Sequence, residues 1–394
     1  MNAGIQNATE KHRRMHALGP DSPIIPAAVV FPGHTISGAD AALKLIAECA
    51  RFGKRGVIVH GRSLAQSGKL KSILDKTPAG LQIACRGHGG GEPTLSHLKD
   101  ALAFTRECRA DWIAGVGGGS VLDLAKACAG LFKAGKELEA YHDGAPIETP
   151  GIPFAAVPAT AGTGSEATIN SVLTNTEKRR KQSIKNPLLI ARLVILDHVL
   201  LESCPKQTIA YAGLDAFTQA IEAYTSRMAC WLSDQLGLKA IGLIAANLEK
   251  VYRGGGRAAG KGLLLGSYLA GLSFSMARLG VVHGLAHPLG VRYHAPHGLV
   301  CGVCLPHAIE LNRPAMGGKY EVMSRTIGGD LLVFTRRLLE RFKIASPFKG
   351  KEIIAKETVI RETLKSWSTA ANAKPVTATD VEFLLKRLFD KIYV

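Results

Sequence analysis

Between about residue 24 and residue 200, short β-branched apolar runs alternate with stretches of helical period, and beyond residue 200 the strand pattern stops. "AAVVF", "RGVIVHG", "LQIACRG", "DWIAGV", "IPFAAVP" and "LVILD" read as strands. "GADAALKLIAECARFG", "LKSILDKT", "LSHLKDALAFTREC" and "VLDLAKACAGLFKAG" read as the helices between them. Strands separated by helices do not pair as tight hairpins, so this half of the chain is held to a mostly parallel sheet flanked by helices. Downstream, "QTIAYAGLDAFTQAIEAYTS", "CWLSDQLGLKAIGLIAANLEKVY", "GKGLLLGSYLAGLSFSMA" and "VEFLLKRLFDKI" all read as helices. The expected architecture is a polar, basic arm at 1–20, an α/β domain over 21–200 and an all-α domain over 201–394. A ligand site is expected in the cleft between the two domains.

The 394 residues carry 49 basic and 32 acidic side chains, a net charge of +17. Such an excess suits nucleic acid, anionic lipid or anionic small ligands alike. The basic clusters ("KHRR" at 11–14, "EKRRK" at 177–181, "TRRLLERFK" at 335–343) are short, scattered and free of interleaved aromatics, which argues against nucleic acid. Eight cysteines form no dense disulfide framework. The one CxxC pair, Cys301 and Cys304, sits in apolar "LVCGVCLPHAIEL" and reads as buried structural thiols in a reducing compartment. The stretch nearest to a membrane span, residues 262–282, carries Ser267, Ser273, Ser275 and Arg278 and reads as a buried helix. A cytoplasmic protein with neither membrane nor nucleic-acid partner is expected.

Two glycine-rich turns follow expected strands. In "DWIAGVGGGSVLDLAK", Gly117, Gly118 and Gly119 let backbone N–H groups approach a phosphate at a new helix N-terminus, and Ser120 with Asp123 resembles a capping box. In "VPATAGTGSEAT", Thr160, Thr163 and Ser165 bring hydroxyls to the end of the next strand. Either could be a plain tight turn; together they suggest two walls of a nucleotide cleft. Further on, "VVHGLAHPLGVRYHAPHG" places His283, His287, His294 and His297 close together, with His283 and His287 at i, i+4. Asp215 and Gln219 have the same spacing in "GLDAFTQAIEAY".

Taken together, "GVGGGSVLDLAK", "PATAGTGSE", "GLDAFTQAIEAY" and "VHGLAHPLGVRYHAPHG" with "LPHAIELN" resemble the iron-containing (group III) alcohol dehydrogenases, whose fold is shared with dehydroquinate synthase. The likeness covers about residues 25–390. It implies NAD(P)-dependent interconversion of a small aldehyde or ketone and its alcohol by hydride transfer, in a homodimer. It assigns the pyrophosphate loop to Gly117, Gly118, Gly119 and Ser120, with Asp123 and Lys126 in the same motif. Thr160, Thr163 and Ser165 fall on the nicotinamide side, and Asp215, His283 and His297 on the metal, Fe²⁺ or Zn²⁺. His287 matches a histidine that relays a proton.

The chain departs from the family in three places. Gln219 stands where the family has a fourth metal-binding histidine, and a carboxamide oxygen is a poorer donor for these ions. That leaves two readings open: a weaker site on Asp215, His283 and His297, or a metal-independent reductase of an acidic oxo compound, similar to the maleylacetate reductases. Arg278 stands where a small residue is usual; it either supports the helix or receives an anionic group of the substrate. After the second strand, Gly61, Arg62 and Ser63 replace the acidic residue common in NAD users, so NADP(H) is expected over NAD(H). A basic nucleotide-binding protein without catalysis is the alternative from another class.

Overall fold

The computed structural model describes residues 23–178 and 180–390, so the arm expected at 1–20 lies outside the described residues. Six strands form one parallel sheet: β1 (Thr35–Ser37), β2 (Arg55–Gly61), β3 (Gln82–His88), β4 (Trp112–Gly117), β5 (Phe154–Pro158) and β8 (Leu193–Leu196). Their spatial order is β1-β8-β5-β4-β2-β3. Side chains alternate between two apolar layers. Val57, Val59, Ile113, Phe154 and Ala156 face one, and Ile58, Trp112, Ala114, Ala155 and Val157 the other. Coverage of both faces is why these strands are continuously apolar rather than alternating with polar residues. Each large side chain so buried contributes about 1.5–3 kcal/mol.

After β2 the chain adds β3 on one side, then returns to place β4 on the other. The loops leaving β2 and β4 therefore diverge and open a crevice at the carboxyl ends of the strands. Gly61, Arg62 and Ser63 leave β2 there, and Gly117, Gly118, Gly119 and Ser120 leave β4 into the helix Gly119–Gly130. A Cβ on Gly119 would lie 2.3 Å from the Thr163 side chain, so only glycine lets the loops after β4 and β5 press together.

The helices of ten residues or more are α1 (Leu95–Glu107), α2 (Gly119–Gly130), α3 (Lys206–Thr225), α4 (Trp231–Tyr252), α5 (Gly256–Ala277), α6 (Val281–Tyr293), α7 (His297–Met316), α8 (Gly318–Ile327), α9 (Leu331–Arg341), α10 (Lys356–Lys365) and α11 (Ala378–Phe389). The α/β and all-α halves thus follow one another as the sequence pattern implies. Leu214 and Phe217 on α3, Ile241 on α4 and Leu264 on α5 share a core with α2 and one face of the sheet. A second core, including Phe348, packs α6, α7, α10 and α11 together. Among the described residues no single helix is long and apolar enough to cross a membrane; α5 and α6 meet that test only as a pair bent by 105°.

That bend turns on Arg278, whose φ of 62° is left-handed. With ψ at −170° this conformation is essentially glycine's own, so the arginine is held there at a cost of about 1–3 kcal/mol. One element escaped the sequence pattern. Residues Asn170–Asn175 (β6) and Arg180–Lys185 (β7) form an antiparallel hairpin outside the main sheet. Its charged composition, including "RRK", hid the strand period.

Lys126 of α2 is fully buried and ties these parts together. Its Nζ donates to the carbonyls of Thr168 (2.9 Å) and Asn170 (2.6 Å) and to Ser165 Oγ (3.0 Å). Ser165 Oγ in turn donates to the Asp123 carboxylate at 2.6 Å. Lys126→Met is expected to destabilise the protein by about 3–5 kcal/mol, because buried acceptors and the Asp123 charge lose their cation. Thermal denaturation would record the drop; an unchanged melting temperature would contradict it.

Candidate active site

Asp215, Gln219 and Glu222 project from one side of α3 at i, i+4 and i+7, all three buried. The α6 N-terminus meets them end-on. Glu222 Oε1 accepts the Val282 N–H at 2.7 Å, while Asn372 Oδ1 accepts that of Val281 at 3.2 Å. A carboxylate at this point satisfies orphan amides and complements the helix dipole. The other Glu222 oxygen, Oε2, accepts from His283 Nδ1 at 2.6 Å. That bond fixes the ring so that Nε2 faces Asp215 Oδ1 at 3.2 Å.

His297, first residue of α7, brings Nε2 to 3.9 Å from the same Asp215 oxygen. Its ring lies 5.4 Å from that of His283 and 5.3 Å from that of His287. Cys301, one turn along α7, places Sγ 3.6 Å from His297 Nε2 and 3.9 Å from His283 Nε2. Donor atoms of Asp215, His283, His297 and Cys301 all lie within 4.8 Å of one another. His294 is apart from them, exposed at the C-terminus of α6.

Electrostatics follow the packing. Burial opposes charge on Asp215, but His297 and hydrogen bonds from His283 and Gln219 outweigh it and keep the carboxyl below its ordinary value. Burial also opposes charge on His283, yet Cys301, Glu222 and Asp215 raise it well above the usual imidazole value. His297 goes the other way, since burial exceeds the pull of Asp215. His287 is lowered to about 3 by burial, Lys181 and His283 and is neutral at physiological pH. Burial pushes the Cys301 thiol up to about 11.

Two further observations bear on whether this set fits a divalent ion. Gln219 Oε1 is a buried acceptor with no hydrogen-bond partner among the described residues, and Glu222 holds a histidine as carboxylates do behind metal-binding imidazoles. A buried carboxylate, two imidazoles with edges of 3.2 and 3.9 Å and an unpartnered amide oxygen fit such an ion.

A single cavity of ≈ 560 Å³ joins this cluster to the glycine loops. Gly118, Gly119, Ser120, Asp123, Thr160, Thr163 and Ser165 line one end, and Asp215, Gln219, His283, His287 and His297 the other. Gly61, Arg62 and Ser63 lie outside this lining, at the carboxyl end of β2, where Arg62 Nη2 donates to the Gly89 carbonyl at 2.5 Å. Arg278 is likewise not among the lining residues; its guanidinium stacks 4.5 Å over Trp367. Between the two ends, Lys181, Ser183 and Lys185 of β7 form a wall. Lys185, at the exposed end of β7, places Nζ 5.3 Å from the same Trp367 ring, and partial burial together with Arg278 lowers its pKa.

Sequence reasoning missed Glu222, Cys301 and the lysine wall. Each had a signal: the i+7 step from Asp215, the i+4 step from His297, and lysine–serine–lysine at period two in "KQSIK".

A doubly wound nucleotide-binding domain facing a helical domain that carries carboxylate and imidazole donors defines a class of dinucleotide-dependent oxidoreductases. Residues 32–198 match the model of the iron-containing alcohol dehydrogenases, and residues 209–389 that of the C-terminal part of the Fe-containing alcohol dehydrogenase family. The chain belongs to this family and is an oxidoreductase, which sets aside the non-catalytic alternative. It is 37% identical to the lactaldehyde reductase of Escherichia coli K12 over 279 residues, 70% of this chain and 72% of that protein. It is 31% identical to the sulfoacetaldehyde reductase of Bilophila wadsworthia over 280 residues, 71% and 72% of the two chains. A crystal structure of a 1,3-propanediol oxidoreductase superposes with a TM-score of 0.86 at 28% identity, covering 92% of this chain and 99% of the other.

Glu222→Gln is expected to weaken metal retention roughly tenfold or more by loosening the tautomer and orientation of His283. Elemental analysis after dialysis against a graded chelator would measure this. Retention equal to wild type would contradict the role given to Glu222.

Proposed function

We propose that the protein interconverts a small anionic aldehyde and its alcohol, using a nicotinamide cofactor and a divalent ion held by Asp215, His283 and His297. The cavity that joins the glycine loops to this cluster past a lysine-lined wall carries the reading. When bound, the cofactor supplies or accepts hydride and the ion, Fe²⁺ or Zn²⁺, supplies Lewis acidity toward the carbonyl oxygen.

The chain's own residues do the rest. The N–H groups at the start of α2, opened by Gly117, Gly118 and Gly119 and flanked by Ser120, cradle the pyrophosphate. Thr160, Thr163 and Ser165 flank the nicotinamide side, and Lys126 with Asp123 keeps their loop in place. Neutral His287, beside His297 in the cavity wall, exchanges a proton with the substrate oxygen and passes it outward. Glu222 holds the His283 ring in register.

Two features support an anionic substrate. Among the described residues neither Lys185 nor Arg278 has a carboxylate partner, and both lean on Trp367 next to the cavity. The relative that reduces sulfoacetaldehyde acts on an aldehyde with such a group. Lys185 is the side chain in the wall and receives the anion, with Arg278 reinforcing the positive field behind it. Arg62 and Ser63 at the end of β2, with no acidic residue beside them, support NADP(H) over NAD(H). The family resemblance supports a cytoplasmic homodimer.

Gln219 and the unpaired cations also favour the second reading, a metal-independent reductase of an acidic oxo compound; full turnover after metal stripping would select it. Steady-state NADPH oxidation over matched neutral and anionic aldehydes tests the first. Lys185→Met is expected to raise KM for an anionic aldehyde roughly tenfold or more while leaving kcat/KM for a neutral one nearly unchanged, because a charged hydrogen bond is lost. Equal effects on both substrates would contradict the anion site. Arg62→Ala is expected to lower the preference for NADPH over NADH roughly tenfold.

A further inference from the structure

Gln219 leaves the metal cluster one good donor short, and the helix facing it carries a side chain able to supply one. We propose that Cys301 is the fourth metal ligand of this protein, its thiolate standing in for the nitrogen donor that Gln219 does not provide. The inference rests on the metal-assisted reading above.

Four observations converge. Cys301 lies one turn after His297 on α7, so both side chains face the cluster. Its Sγ is 3.6 Å from His297 Nε2 and 3.9 Å from His283 Nε2. An ion bound tetrahedrally at about 2.0–2.3 Å separates its donors by roughly 3.3–3.6 Å, close to these edges and to the 3.2 and 3.9 Å from Asp215 to the two histidines. Finally, Gln219 Oε1, buried and without a partner among the described residues, marks the cluster as open to a cation, and as a neutral amide oxygen it is the weaker donor beside the Cys301 sulfur.

Donor chemistry favours the thiolate as well. A divalent ion deprotonates a thiol that coordinates it, and the sulfur is then a stronger donor than an amide oxygen. A thiolate also shifts the donor set toward soft ligands, so Zn²⁺ is preferred over Fe²⁺. On binding, the S–H bond of Cys301 breaks, a sulfur–metal bond forms and the proton leaves to solvent; nothing is oxidised or reduced.

Cobalt reports the donor directly. The full-length protein, stripped of metal and reloaded with Co²⁺, is expected to show the intense near-ultraviolet absorption of thiolate-to-cobalt charge transfer. Gln219→Ala keeps that band. Cys301→Ser, with circular dichroism like wild type, loses the band and binds Zn²⁺ roughly tenfold or more weakly. Should Cys301→Ser not fold, the wild-type spectrum alone decides. A wild-type protein that takes up one Co²⁺ without the band overturns the assignment, as does a band that survives in Cys301→Ser. If the band is absent while NADPH-dependent aldehyde reduction proceeds, Cys301 is excluded and the reductase reading stands. Failure of that reading shows separately, as no turnover of any aldehyde by the metal-loaded wild type.

Discussion

The Glu222 carboxylate is the hinge of this structure. One oxygen caps the amino end of α6 and the other grips the His283 ring, so helix position and ring orientation are set by one buried group. α6 follows α5 across a 105° bend at a left-handed residue, and the carboxylate anchors its start after that turn. Without the bond, His283 would be free to rotate away from Asp215, and the pairing of α3 with α6 would lose its polar pin. Asp215 then sees two imidazoles from two different helices, a convergence that no single helix could arrange.

The opposite side of the cavity is organised on the same plan. Lys126 gathers the carbonyls after β5 and the start of β6, and Gly119 lets the loops after β4 and β5 touch. Because α3–α5 share a core with the sheet, the glycine loops and the helical cluster are fixed with respect to each other. Fixed distance across a cleft is what hydride transfer requires, since the reacting centres must be held near contact. The hairpin β6–β7 then lines the side of the cavity with Lys181, Ser183 and Lys185, the wall on which the proposed preference for anionic substrates rests.

Much of this was legible in the sequence. The parallel sheet follows from apolar runs spaced by helices, and the α/β-to-α transition from the loss of β-branched runs after residue 200. Glycine–serine and histidine spacings located both ends of the cavity. The β6–β7 hairpin stayed hidden because two of the three buried positions of β6 are polar, Ser171 and Asn175, and β7 buries only Ile184, so no apolar period marked it. Cys301 looked like core because its neighbours are apolar, and only the folded α7 shows its sulfur turned toward two histidines. Arg278 was drawn to notice by its charge. Its φ of 62° and its stack on Trp367 show that backbone and ring determine where it points.

The account rests on an ion at the junction of α3, α6 and α7, opposite the nicotinamide. Anomalous diffraction at the zinc edge, from crystals grown with Zn²⁺ and NADPH, addresses it most directly. The account predicts one strong peak within bonding distance of Asp215, His283 and His297, with the nicotinamide C4 facing it across the cavity. A peak elsewhere, or a nicotinamide docked away from these side chains, would contradict it.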